Sequence, residues 1–111
     1  MQPIRRGEIW WVSFDPSLGG ETRKTRPAIV VSNNAANLAL NRVVVIPLTS
    51  NTQKVYPGEA LVSVGDRPSK AMADQIMTAD KQRLRECMGM LSLSDMRAVE
   101  NAILLHLGIR R

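Results

Sequence analysis

The run RVVVIPL, Arg42–Leu48, constrains the fold more than any other feature of the chain. Its β-branched residues are stiff at χ1 and suit a pleated surface, so it reads as the clearest strand. Pro47 cannot donate to a ladder, which implies a strand terminus or bulge there. PAIVVS, Pro27–Ser32, is a second continuous apolar run and reads as a buried strand. Between them, Asn33–Asn41 has asparagines at both ends and helix formers within, the pattern of a short helix or turn.

Other short segments share this character. GEIWWVSF, Gly7–Phe14, is dense in β-formers and reads as the first strand. Asp15–Arg26, with Pro16 and the Gly19-Gly20 pair, reads as a long loop, and long loops in small domains are usually functional. Thr49–Gly58 is a second polar loop. Glu59–Val64 alternates as a strand, Gly65–Ser69 turns, and Lys70–Met77 reads as one half-polar strand. Asp80–Leu84 suggests a helical turn, and Glu86–Leu91 a last strand. Ser92 then caps a helix, with Asp95 placed to answer it in a capping box. Met96, Val99, Ile103 and Leu107 follow at helical spacing, Leu104 and Leu105 broaden the stripe, and Gly108 closes it. Short strands followed by one terminal helix predict a mainly β fold, a small barrel or sandwich with a C-terminal helix.

The 111 residues fit a single domain over 1–111. A chain this small leaves much apolar surface uncovered, so a partner subunit would help it. Cys87 is alone, which excludes an internal disulfide, and its apolar neighbours predict a buried core thiol. His106 is likewise alone, and with no paired ligand spacing a protein-built metal site is not expected; no cofactor is implied. The polar, basic start and the lack of a membrane-length apolar run predict a cytosolic protein. A net charge of +5 favours polyanions, and three of its clusters (Arg23, Lys24 and Arg26 among them) fall in loops or turns. Aromatics make up 4% of the chain, and adjacent Trp10 and Trp11 must face opposite sides, one core and one exposed. That argues against a broad base-stacking sheet.

Cleaving RNA requires a group that activates the 2′-OH, charge stabilisation for the phosphorane and a proton for the leaving oxygen. Two histidines are the familiar means, but His106 lies alone in the terminal helix. Two loops offer alternatives. GGETRKTRP, Gly19–Pro27, sets Glu21 among Arg23, Lys24 and Arg26; PLTSN, Pro47–Asn51, supplies the polar groups of Thr49, Ser50 and Asn51 at a strand end. If the second and third strands are antiparallel neighbours, Arg26 and Thr49 meet at one sheet edge. On spacing alone a solvated loop face and a turn residue remain the commoner explanations.

The segments RRGEIWWVSFDP, GGE, TRPAIVVSN, VVVIPLTSN, ADQIMTADKQRL and GMLS, in this order and spacing, make the chain resemble the MazF/PemK family nearly throughout. The resemblance implies a dimeric SH3-like barrel with a C-terminal helix. It further implies metal-independent cleavage of single-stranded RNA at short recognition sequences and inhibition by a cognate, MazE-like antitoxin. The family's catalytic arginine falls on Arg26, its catalytic threonine on Thr49 and its loop acid on Glu21. The acid–glutamine pair near the substrate groove falls on Asp74 and Gln75. Arg23, Lys24, Ser50 and Asn51 complete the expected substrate contacts. Glu21 is a candidate base that could instead bind bases or hold its loop. Products with 2′,3′-cyclic phosphate and 5′-hydroxyl ends are expected. Two departures stand out: Gly20 replaces the usual serine, and Met90 stands where relatives often carry a basic residue. A gyrase poison like CcdB, which lacks the R-P and T-S pair, and a non-cleaving RNA-binding module are the rival readings.

Overall fold

The structure is a computed structural model that describes residues 3–14 and 25–110. Seven strands and two helices follow in order: β1 (Glu8–Ser13), β2 (Thr25–Val30), α1 (Asn34–Ala39), β3 (Arg42–Thr49), β4 (Glu59–Val64), β5 (Arg67–Met72), β6 (Met77–Asp80), β7 (Leu84–Met90) and α2 (Leu93–Leu107). The strands form one antiparallel sheet in the order β4-β5-β3-β2-β1-β7, with β6 beside β3. The sheet is a curled half-barrel with the helix α2 packed on it, so the expected mainly β fold with a C-terminal helix is found.

β3 organises the curl. One edge of β3 pairs with β6 over Arg42–Val45 and then with β5 over Leu48–Thr49. Pro47 falls in the gap between those partners, where its missing N–H costs the ladder least. The strand therefore runs through Pro47 to Thr49 instead of ending at it. Alternation along β2 and β3 divides the interior into two cores. Ile29, Ile46 and Leu48 face α2 and pack with Met96, Val99 and Ala102. Ala28, Val30, Val43 and Val45 face the opposite way and pack with Ile4, Val12 and Ala79, flanked by Trp10 and Phe14.

α2 begins as its sequence requires. The Ser92 side chain accepts the Asp95 N–H at 3.1 Å, and Gly108 closes the helix at φ +71°. The Asp95 carboxylate does not return to Ser92; it accepts the Ser63 N–H of β4 at 2.8 Å and ties helix to sheet. Ile103 and Leu104 are half-buried, whereas Leu105 and Leu107 are exposed, so the apolar stripe is wider than the core it covers. α1 exists as a single short helix, capped by Asn33 and held by the buried Asn37, whose side-chain N–H donates to the Ser32 carbonyl at 2.9 Å.

Two expectations need correction. Lys70–Met77 is not one strand: β5 ends at Met72, a 3-10 turn takes Ala73–Gln75, and β6 starts at Met77. The chain turns there because β5 and β6 pair with different stretches of β3. Cys87 is exposed, not buried. Among the described residues β7 is an edge strand paired only with β1, and from Arg85 to Met90 every residue is exposed. Apolar neighbours in sequence therefore do not bury the thiol.

Candidate active site

Register decides which polar residues meet. β1 and β2 pair so that Trp11 lies opposite Pro27 and Val12 opposite Arg26. β2 and β3 pair Ala28 with Pro47, and continuing that register by two residues sets Arg26 opposite Thr49. Across the other edge of β3, Thr49 is the partner of Lys70 in β5. Directly opposed residues share a sheet face, so Arg26, Thr49 and Lys70 form a row across three strands at one end of the sheet. Thus the strands behind Arg26 and Thr49 are antiparallel neighbours, the arrangement on which their meeting depended.

Thr49 is half-buried, while Arg26, Ser50 and Asn51 are exposed. The Thr49 hydroxyl oxygen accepts the Asn51 N–H at 3.3 Å, and the Asn51 side-chain oxygen accepts the Gln53 N–H at 3.3 Å. Among the described residues the Thr49 hydroxyl proton has no acceptor. Beside this turn opens a cleft of about 550 Å³. Thr49, Ser50 and Leu48 line one part, Trp11, Pro27 and Met88 another, and Arg67 and Ser69 from the β4–β5 hairpin a third. A cation, three hydroxyls and a partly exposed indole thus surround one space large enough for a nucleotide.

Trp10 and Trp11 divide as alternation requires. Trp10 is half-buried with its indole N–H donated to Glu8 at 3.1 Å, and Trp11 is 36% exposed in the cleft. Sequence reasoning missed Arg67 as a site residue. The available signal was a cation next to Gly65-Asp66 in a segment already read as a turn. Lys70 was missed too, because a polar residue within a presumed long strand carries no mark of its special partners.

Asp74 and Gln75 are not in this row. They occupy the 3-10 turn after β5, where both are exposed. Gly58, at the end of the loop that starts after Thr49, packs close to Asp74 and to the His106 imidazole. A Cβ added at Gly58 would lie 3.6 Å from the Cβ of Asp74 and 3.6 Å from Nδ1 of His106. The loop Ser50–Gly58 therefore links the Thr49 cleft to the Asp74–Gln75 turn. Glu21, Arg23 and Lys24 lie outside the described residues.

Not every basic residue is available to a polyanion. Arg6 pairs with Glu100 of α2 at 2.8 Å and donates Nε–H to the Val31 carbonyl at 2.9 Å. Arg83 donates to the Ser13 carbonyl at 3.2 Å. Glu59, next to the cleft loop, is shielded from water, which pushes its carboxyl pKa up. The Tyr56 N–H and the Lys70 ammonium outweigh that and hold it below the usual carboxylate value.

Among the described residues, no helix is long and apolar enough to cross a membrane. Residues 5–107 match the family model of the PemK-like, MazF-like toxin of type II toxin-antitoxin systems. The chain is 39% identical to the endoribonuclease MazF9 of Mycobacterium tuberculosis, an alignment that covers 96% of this chain and 98% of that protein. Its fold is similar to that of an endoribonuclease from a mycobacterial species (TM-score 0.83, 25% identity, 100% of this chain and 97% of the other). It is also similar to a mycobacterial endoribonuclease solved with its cognate antitoxin (TM-score 0.80, 27% identity, 97% and 98% covered). With the family's model matched from Arg5 to Leu107 and a relative aligned over nearly its whole length, the chain belongs to the PemK-like, MazF-like toxins of type II toxin-antitoxin systems.

Proposed function

We propose that this chain is a sequence-selective, metal-independent endoribonuclease toxin that cuts single-stranded RNA at the Arg26–Thr49 end of its sheet. The observation that carries this reading is the antiparallel β2–β3 pairing, whose register, continued beyond Ala28–Pro47, sets Arg26 opposite Thr49 at the sheet end where a cleft of about 550 Å³ is lined by Thr49 and Ser50. In the reaction, the 2′-oxygen attacks the adjacent phosphorus and the bond to the 5′-oxygen breaks. A 2′,3′-cyclic phosphate and a 5′-hydroxyl result. Glu21 is the candidate base for the 2′-OH proton. The Arg26 guanidinium stabilises the phosphorane and hydrogen-bonds the leaving 5′-oxygen, which takes its proton from water while Glu21 later returns the 2′-OH proton to solvent. Thr49 donates its hydroxyl proton to a phosphate oxygen.

Binding falls to the surrounding residues. Ser50 and Asn51 hydrogen-bond the strand near the scissile phosphate, Arg23 and Lys24 attract its backbone, and Asp74 and Gln75 contact bases farther along. Trp11 and Arg67 join them as a stacking surface and a phosphate contact. The active unit is a homodimer in the cytoplasm, held silent by a cognate MazE-like antitoxin. Supporting the dimer, Leu61 (54%), Met90 (58%), Leu93 (82%) and Leu105 (60%) leave large apolar side chains exposed in one chain.

The test is to incubate the protein with a long single-stranded RNA in excess EDTA and map the fragment ends. Discrete cuts with cyclic-phosphate ends, suppressed by the antitoxin, are expected. Intact RNA in the presence of folded, dimeric protein would refute the reading.

A further inference from the structure

We propose that Lys70 is a positioning residue for the cleavage site, clamping the Ser50–Gly58 loop so that Thr49 and its neighbours meet the RNA in a fixed geometry. This inference rests on the ribonuclease reading above. Lys70 is the lateral neighbour of Thr49 in the row across the sheet, yet it is only 9% exposed. Its ammonium donates to the Lys54 carbonyl at 2.7 Å and to Glu59 Oε1 at 3.0 Å, and stands 5.6 Å from the centre of the Tyr56 ring. Two of its three donors are thus committed to hydrogen bonds within the fold, and the Tyr56 ring flanks the ammonium as a cation–π contact.

Those partners all belong to one stretch of chain. Glu59 also accepts the Tyr56 N–H at 2.8 Å and gives its own N–H to the Tyr56 carbonyl at 2.9 Å. Lys54, Tyr56 and Glu59 are thereby pinned to β5 at a single point. The loop so held starts with the Thr49–Asn51 turn and ends at Gly58 against Asp74 and His106. One ammonium consequently sets the path of the chain between the two groups of candidate substrate contacts.

Stability alone does not account for such a pair. Burying an ion pair is expensive, and neutral residues of similar volume commonly hold a fold as well or better. What a buried, paired ammonium does supply is conformational specificity, since a loop path that moves the Lys54 carbonyl or Glu59 away leaves the charge without its partners.

The double variant Lys70→Met/Glu59→Gln removes the clamp without leaving a lone buried charge, so the chain keeps its fold. Its kcat on a single-site RNA is expected to fall about tenfold with KM nearly unchanged, because small misplacements of a reacting group are costly. Backbone amides over residues 51–56 exchange faster, while the melting temperature stays near that of the wild type. In a Thr49→Ala background the double variant lowers kcat no further, since both changes act through the same hydroxyl. A folded double variant with wild-type kcat would overturn the inference. So would a loss that multiplies with Thr49→Ala, or a raised KM with a weaker salt dependence, the mark of a phosphate-binding lysine. If the wild-type chain itself cuts no RNA, the ribonuclease reading fails and the positioning role with it, even where the loop amides loosen.

Discussion

Two clefts of nearly equal size lie at different parts of the molecule, about 550 Å³ beside Thr49 and about 560 Å³ beside α2. Their chemistry separates them. The helix-side cleft is walled by Val31, Val44, Ile76, Ile103 and Leu104, and its guanidinium, Arg6, is already engaged by Glu100 and the Val31 carbonyl. The Thr49 cleft carries Arg67, three hydroxyls and an indole, and the β2–β3 register continued to the sheet end sets Arg26 opposite Thr49. Volume says little about which cleft receives a polyanion. Whether the cations and donors at its rim already have partners within the fold says much more.

The sharpest way to break this comparison is to remove one arginine from each region. Arg26→Ala or Thr49→Ala should lower kcat by roughly 10²–10³-fold with the fold intact, as loss of a transition-state donor does elsewhere. Single-turnover cleavage beside a melting curve checks this. At the rim, Arg67→Ala should raise KM and reduce the log–log salt slope by about 0.7, the value for one phosphate on a single strand. Trp11→Ala should weaken binding by about 1–3 kcal/mol, the usual range for one stacked base, with fluorescence quenching by RNA reduced as well. By contrast, Arg6→Ala should leave cleavage unchanged and cost stability only modestly. The Arg6 and Glu100 side chains are 33% and 42% exposed, and such pairs contribute about 1 kcal/mol or less. A large rate loss in Arg6→Ala would erase the distinction between the clefts.

The smallest effect concerns pH. The Glu59 carboxyl titrates below its unfolded value of 4.5, so its ionised form favours the folded state. That contribution is fully present above 4.5 and disappears as pH falls below 4.5 through the folded value. Urea titrations across pH should show this acid-side slope in the wild type and its loss in Lys70→Met/Glu59→Gln, which leaves no lone buried charge.

Features set by local chemistry were readable from sequence. The β-branched run of β3, the Ser92 cap and the Gly108 stop each depend on residues a few positions apart. The pairing of β2 with β3 was also within reach, because two strands flanking a short connection are ordinarily antiparallel neighbours. What escaped depends on distant partners. The break of Lys70–Met77 into two strands follows from β3 changing partners at Pro47, which neither segment signals alone. Cys87 has a core thiol's neighbours in sequence but is exposed on β7, an edge strand among the described residues. The role of Lys70 is set by Lys54, Tyr56 and Glu59, three residues from a loop and a strand that polar composition does not distinguish. The assignments of Glu21, Arg23 and Lys24 rest on the resemblance to the family, since those residues lie outside the described structure.

The most direct measurement is an NMR titration with an RNA that carries a 2′-deoxy sugar at the scissile position and so binds uncut. Shifts at Arg26, Thr49, Ser50, Asn51, the Trp11 indole and Arg67, extending to the Asp74–Gln75 turn, are what this account predicts. Shifts centred on Glu100, Ile103 and Leu104, with the Thr49 turn unmoved, would contradict it.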